Sequence, residues 1–62
     1  MPILYSRPSC GPCQTLKYFL NKKGIIFKEL PAPDNMMVPT LKYKDQVIVG
    51  LNLPRISELL SL

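Results

Sequence analysis

The sequence predicts an α/β fold of order β-α-β-loop-β-β-α, a four-stranded mixed sheet carrying two helices. Three patterns lead there: a strand-helix-strand alternation fills the amino-terminal half, a hairpin pattern surrounds Lys44-Asp45, and the last segment gathers its apolar residues on one helical face. Sixty-two residues make one domain, spanning 1–62, near the lower limit at which a chain buries enough surface to fold unaided.

Ile3 to Ser6 reads as a short apolar strand that ends where Arg7-Pro8 imposes extended or turn geometry. In the next segment, Gly11 to Lys23, residues Cys13, Leu16, Phe19 and Leu20 fall at helical spacing. Pro12 is tolerated in its first turn, and Gly24 is a good carboxyl-terminal stop. Ile25 to Leu30 reads as a second strand, closed by the loop Pro31-Ala32-Pro33-Asp34-Asn35. Strand, helix and strand in succession imply a parallel βαβ unit. Thr40 to Tyr43 and Gln46 to Val49 flank Lys44-Asp45 and should pair antiparallel. Pro54 to Ser61, with Leu53, Ile56, Leu59 and Leu60 on one face, forms a terminal helix. No repeat or low-complexity stretch interrupts this order.

Composition narrows the setting. Apolar residues make up 47% of the chain, yet no run approaches the eighteen or so that cross a bilayer, so no membrane association is expected. Met1-Pro2-Ile3-Leu4-Tyr5 lacks the charged start and cleavage site of a secretory signal, which points to the cytoplasm. Eight Lys and Arg against four Asp and Glu give a formal charge of +4. The basic residues are not interleaved with aromatics in a patch, so nucleic-acid binding is not expected; an acidic protein partner fits better. Tyr5, Tyr18 and Tyr43 read as packing or surface cover.

Cys10-Gly11-Pro12-Cys13 is the motif that carries chemistry. Side chains i and i+3 meet on a helix, so the two sulfurs can open and close a disulfide in place. A structural staple is a poorer reading, because closing so short a loop restricts the unfolded chain by only about 2 kcal/mol before strain. A reducing compartment also favours a transient, catalytic pair. Cys10 sits at the amino end of the first helix, where unpaired N–H groups and the helix dipole favour the attacking thiolate. Arg7 adds a second favourable charge, or contacts an acidic partner, or is a solvated loop arginine. Cys13, a turn into the helix and on its apolar side, suits the resolving role. In that scheme Cys10 attacks a substrate disulfide, and Cys13 then displaces the reduced substrate and leaves Cys10-Cys13 oxidised.

Cys10-Gly11-Pro12-Cys13 after a first strand, Val38-Pro39-Thr40 before a hairpin, and Gly50 just after it together resemble the glutaredoxins and glutaredoxin-like proteins of the thioredoxin superfamily. The resemblance covers nearly the whole chain and implies a minimal thioredoxin-like fold. Gly50-Leu51-Asn52-Leu53-Pro54-Arg55-Ile56 is similar to the Gly-aromatic-x-Pro-x-x-Ile stretch of redoxins that donate electrons to ribonucleotide reductase, with Leu51 in place of the aromatic residue. The Gly11-Pro12 pair is similar to that of thioredoxins and is expected, with Arg7, to tune the dithiol.

The resemblance further implies a cis Val38-Pro39 bond lying against the dithiol, so that the Val38 backbone can pair with an extended substrate. Val38, Pro39, Thr40 and Gly50 are then the substrate-binding residues. Gly50 permits close backbone approach at the site rim, or simply ends a strand. The implied activity is that of a thiol-disulfide oxidoreductase, a dithiol electron carrier for protein disulfides that serves cell redox homeostasis, with ribonucleotide reductase as the sharpest candidate substrate. No cofactor is expected to be bound. Glutathione-using relatives follow their paired glycines with an acidic residue, whereas Leu51-Asn52-Leu53 follows Gly50 here. Electrons are therefore expected from a thioredoxin reductase, with glutathione second.

The family also places a helix between its second and third strands, where this chain has only Pro31 to Val38. Eight residues span roughly 26 Å when extended. That exceeds the gap of about 10 Å across one intervening strand. The helix is thus dispensable for connection but not for cover. One sheet face should be under-covered, filled in part by Met36 and Met37, by a second copy in a homodimer, or by a docked partner. Two other functions stay open: a non-catalytic binding module on the same scaffold, and a dimeric metal or iron-sulfur site pooling Cys10 and Cys13 from two chains, since one chain supplies only two cysteines and no histidine.

Overall fold

A computed structural model describes residues 1–62. Its elements are β1 (Ile3–Ser6), α1 (Gly11–Lys22), β2 (Lys28–Pro31), β3 (Thr40–Tyr43), β4 (Gln46–Val49) and α2 (Leu53–Leu59). The four strands form one mixed sheet in the order β2-β1-β3-β4. β1 runs parallel to β2 and antiparallel to β3, and β3 pairs antiparallel with β4. No helix is inserted between β2 and β3. This is the α/β order expected from the sequence. No helix is long and apolar enough to cross a membrane.

β2 departs from expectation: it begins at Lys28 rather than Ile25 and runs on through Pro31, which the sequence assigned to the loop. The end of α1 explains the late start. Gly24 takes φ +73°, its N–H donates to the Asn21 carbonyl at 3.0 Å, and the Ile25 N–H donates to the Leu20 carbonyl at 2.9 Å. The Ile25 amide is consumed in closing the helix and is not free for a ladder. Pro31 is tolerated because β2 is an edge strand, where a missing donor breaks no ladder on the solvent side.

α2 also shifts, to Leu53–Leu59 instead of Pro54 to Ser61. Asn52 caps its start, the side-chain Oδ1 accepting the Arg55 N–H at 3.3 Å. Ser61 adopts φ +59°, and the N–H groups of Ser61 and Leu62 return to the carbonyls of Glu58 and Ser57. That closure ends the helix one residue before the apolar pattern does.

Cross-strand neighbours Leu4, Leu41 and Ile48 line one sheet face. They form the core with Leu16 and Leu20 of α1 and Ile56 of α2, surrounded by Phe19, Phe27, Leu53 and Leu60. Both helices therefore cover the same face. On the opposite face lie the rows Lys28-Ile3-Lys42-Val47 and Leu30-Tyr5-Thr40-Val49. No helix covers them, and Val47 and Val49 are each 55% exposed. Met36 is half-buried, whereas Met37 is 73% exposed and gives that face little cover.

Candidate active site

The site is built where strands end. β1 stops at Ser6, and a turn closed by the Cys10 N–H on the Arg7 carbonyl at 3.2 Å delivers Cys10 to the N-cap of α1. Pro12 stands in the first helical turn, where its missing N–H costs no intrahelical bond. Cys10 and Cys13 are joined in a disulfide with their Cα atoms 5.2 Å apart. Cys13 is fully buried and Cys10 half-buried, so of the two only Cys10 has surface open to solvent. The Cys13 N–H donates to the Cys10 Sγ at 3.1 Å.

β3 begins beside the end of β1, with Tyr5 opposite Thr40. The Val38–Pro39 segment that precedes it thus lies at the sheet end from which the Cys10 turn departs. The Val38–Pro39 peptide bond is cis. Pro39 is fully buried and Val38 half-buried. Thr40 is buried with its hydroxyl donating to the Met37 carbonyl at 2.6 Å. Gly50, at the end of β4, donates its N–H to the Pro39 carbonyl at 2.8 Å.

The catalytic, tuning and substrate-binding residues expected from the sequence therefore gather at one end of the sheet. For Gly50 the strand-ending alternative is the one that fits, and Arg7 has partners that the sequence did not suggest. At Gly50 a Cβ would meet nothing within 4 Å, so close approach does not demand glycine there; its φ of +90° does. Gly11 is likewise uncrowded and has no left-handed φ, so packing does not dictate its identity. The Arg7 guanidinium is bonded to the carbonyls of Pro33 and Met36 in the loop between β2 and β3.

Sequence reasoning missed a polar cluster under this site. The Ser6 hydroxyl donates to Glu29 Oε2 at 2.6 Å, and Lys17 Nζ pairs with the same oxygen at 3.1 Å. The Ser6 hydrogen bond, followed by that from Lys17, holds the Glu29 carboxyl below its ordinary range. These residues line a cleft of about 400 Å³ together with Arg7, Gln14 and Leu30. The only sequence signal is Glu29 on the helix-facing side of an edge strand, legible once β2 is known to pair Glu29 with Leu4. No group of three or more His, Cys, Asp or Glu is gathered anywhere, so a metal held on Cys10 and Cys13 would need ligands from a second copy.

A thioredoxin-like fold with a bonded cysteine pair at the start of its first helix is the class that this architecture defines. Solved structures agree on the fold. The chain is similar to the thioredoxin-like protein BC3987, at TM-score 0.85 and 21% identity over 95% of this chain and 99% of that one. It is also similar to a point mutant of BC3987, at TM-score 0.89 and 20% identity over 97% and 94%. No family model and no curated protein matches the sequence.

Proposed function

We propose that this chain is a glutaredoxin-like thiol-disulfide oxidoreductase, a dithiol electron carrier that reduces protein disulfides. The observation that carries the reading is the asymmetry of the pair: Cys10 half-exposed at the N-cap of α1, Cys13 fully buried and bonded to it. Exposure and helix-end donors suit Cys10 to nucleophilic attack, and burial suits Cys13 to intramolecular resolution.

In the reduced protein the Cys10 thiolate attacks one sulfur of the substrate disulfide. A Cys10-substrate disulfide forms, and the other substrate sulfur leaves as a thiolate that takes a proton from solvent. Cys13, losing its own proton, then attacks the Cys10 sulfur and releases the second substrate thiol. Two electrons and two protons pass to the substrate, and Cys10–Cys13 is left oxidised. Substrate backbone pairs with Val38 beside the cis Pro39, a role implied by resemblance and supported by the position of both at the dithiol end of the sheet. Ribonucleotide reductase is the sharpest substrate candidate. A flavin-dependent thioredoxin reductase is the preferred electron source over glutathione, and the cytoplasm the expected location.

The test is reduction of insulin disulfides, with the oxidised protein recharged by thioredoxin reductase in one arm and by glutathione in the other. Turnover in the first arm, its loss in Cys10→Ser, and a reduction potential near about −270 mV support a reductant. A potential near about −120 mV would make it an oxidant instead.

A further inference from the structure

We propose that Arg7 is a positioning residue, its guanidinium clamping both ends of the Pro33–Met36 turn to the segment that delivers Cys10. The inference rests on the substrate-pairing role given above to Val38, and deepens it.

The loop between β2 and β3 replaces a helix yet has no regular structure of its own to fix its path. Its carbonyls are instead held by side chains from elsewhere. Arg7 Nη2 donates to the Pro33 carbonyl and, at 2.7 Å, to the Met36 carbonyl. Pro33 and Met36 are the two ends of one turn, closed by the Met36 N–H on the Pro33 carbonyl at 3.0 Å. Thr40 holds the next carbonyl, that of Met37. The Arg7 main chain meanwhile accepts the Cys10 N–H. One residue thus ties the turn that presents the nucleophile to the loop that leads into Val38.

The charge of Arg7 is directed by these bonds toward loop carbonyls rather than toward the dithiol. A planar guanidinium offers several donors in fixed geometry, which suits it to two carbonyls at once; a lysine ammonium has donors but not that geometry. Without the clamp the loop samples more positions. The fraction with Val38 correctly placed falls, and apparent affinity for a polypeptide falls by the same factor. The chemical step between sulfurs needs no such placement once substrate is bound.

Arg7→Met and Arg7→Lys distinguish this role from a tuning charge. In Arg7→Met the Met36 amide should exchange with deuterium about tenfold faster, the scale of one lost charge-assisted hydrogen bond, while amides of Leu4 and Leu41 keep their protection. The KM for insulin should rise in proportion to the fall in the correctly placed fraction of the loop, by at least about twofold, with kcat within about twofold, and the pH profile of kcat/KM should not move. Arg7→Lys should recover part of both losses, and it carries the comparison alone if Arg7→Met does not fold. Unchanged Met36 exchange, or a displaced pH profile at constant KM, overturns the proposal. Absence of insulin reduction by the wild-type protein would sink the oxidoreductase reading by itself, and the Met36 exchange would still decide whether Arg7 clamps the loop.

Discussion

The backbone N–H of Cys13 lies 3.1 Å from the sulfur of Cys10, directed at it from the first turn of α1. The N-cap position normally filled by a side-chain oxygen is filled here by sulfur. A donor already aimed at that atom favours negative charge on it when the disulfide opens. Burial separates the two thiols further, since Cys13 has no exposed surface.

Selective alkylation follows from that difference. In the reduced protein at neutral pH, iodoacetamide should modify Cys10 at least about tenfold faster than Cys13, because reaction requires both an accessible sulfur and its thiolate. Peptide mapping after timed quenching reads the ratio. Equal rates would mean that α1 opens as readily as the Cys10 turn.

Glu29 predicts a pH dependence of stability. Its carboxyl is held below the usual range chiefly by Ser6 and then by Lys17. Stability from this group is therefore fully present above the unfolded-state value of about 4.3 and is lost as pH falls through the folded one. Glu29 is 42% exposed, so screening limits the effect to less than about 1 kcal/mol. Urea unfolding of wild type and Glu29→Gln should give a stability difference that is largest above pH 5 and closes toward pH 3.

The sheet has one packed face and one bare face, and a single strand tests both. Ile48 is 6% exposed, whereas Val47 and Val49, its neighbours on β4, are each 55% exposed. Ile48→Thr should cost more than about 2 kcal/mol, while Val47→Thr and Val49→Thr should each cost less than about 1 kcal/mol. Urea midpoints measure all three. Comparable losses at the exposed positions would show that something covers that face in solution.

Leu41→Ala should be severe. The side chain is 1% exposed and sits between Leu4 and Ile48 in the only core. The expected loss is about 3 kcal/mol. A chain of this length is normally stable by roughly 3–9 kcal/mol, so the loss removes a third or more of the total, and urea unfolding followed by circular dichroism should show a correspondingly lower midpoint.

The bounds of β1, β3 and β4 were legible because each is a short apolar or alternating run stopped by turn residues. β2 was not, because Ile25, Ile26 and Phe27 look like strand while the Ile25 amide is committed to closing α1. Strand propensity carries no record of that capping bond. The dithiol could be read from four adjacent residues. The Ser6-Glu29-Lys17 cluster could not, since it depends on the register of two strands distant in sequence and on which side of α1 faces β2. The partners of Arg7 are backbone carbonyls, which any residue supplies, so no side-chain pattern announces them.

The central claim is that Cys10 attacks and Cys13 resolves. Mass spectrometry of reduced Cys13→Ser protein incubated with a peptide disulfide tests it most directly. A single persistent mixed disulfide on Cys10, absent from wild type under the same conditions, is the result expected. Reduction of the peptide by Cys10→Ser at the wild-type rate, or no adduct in Cys13→Ser, would contradict the assignment.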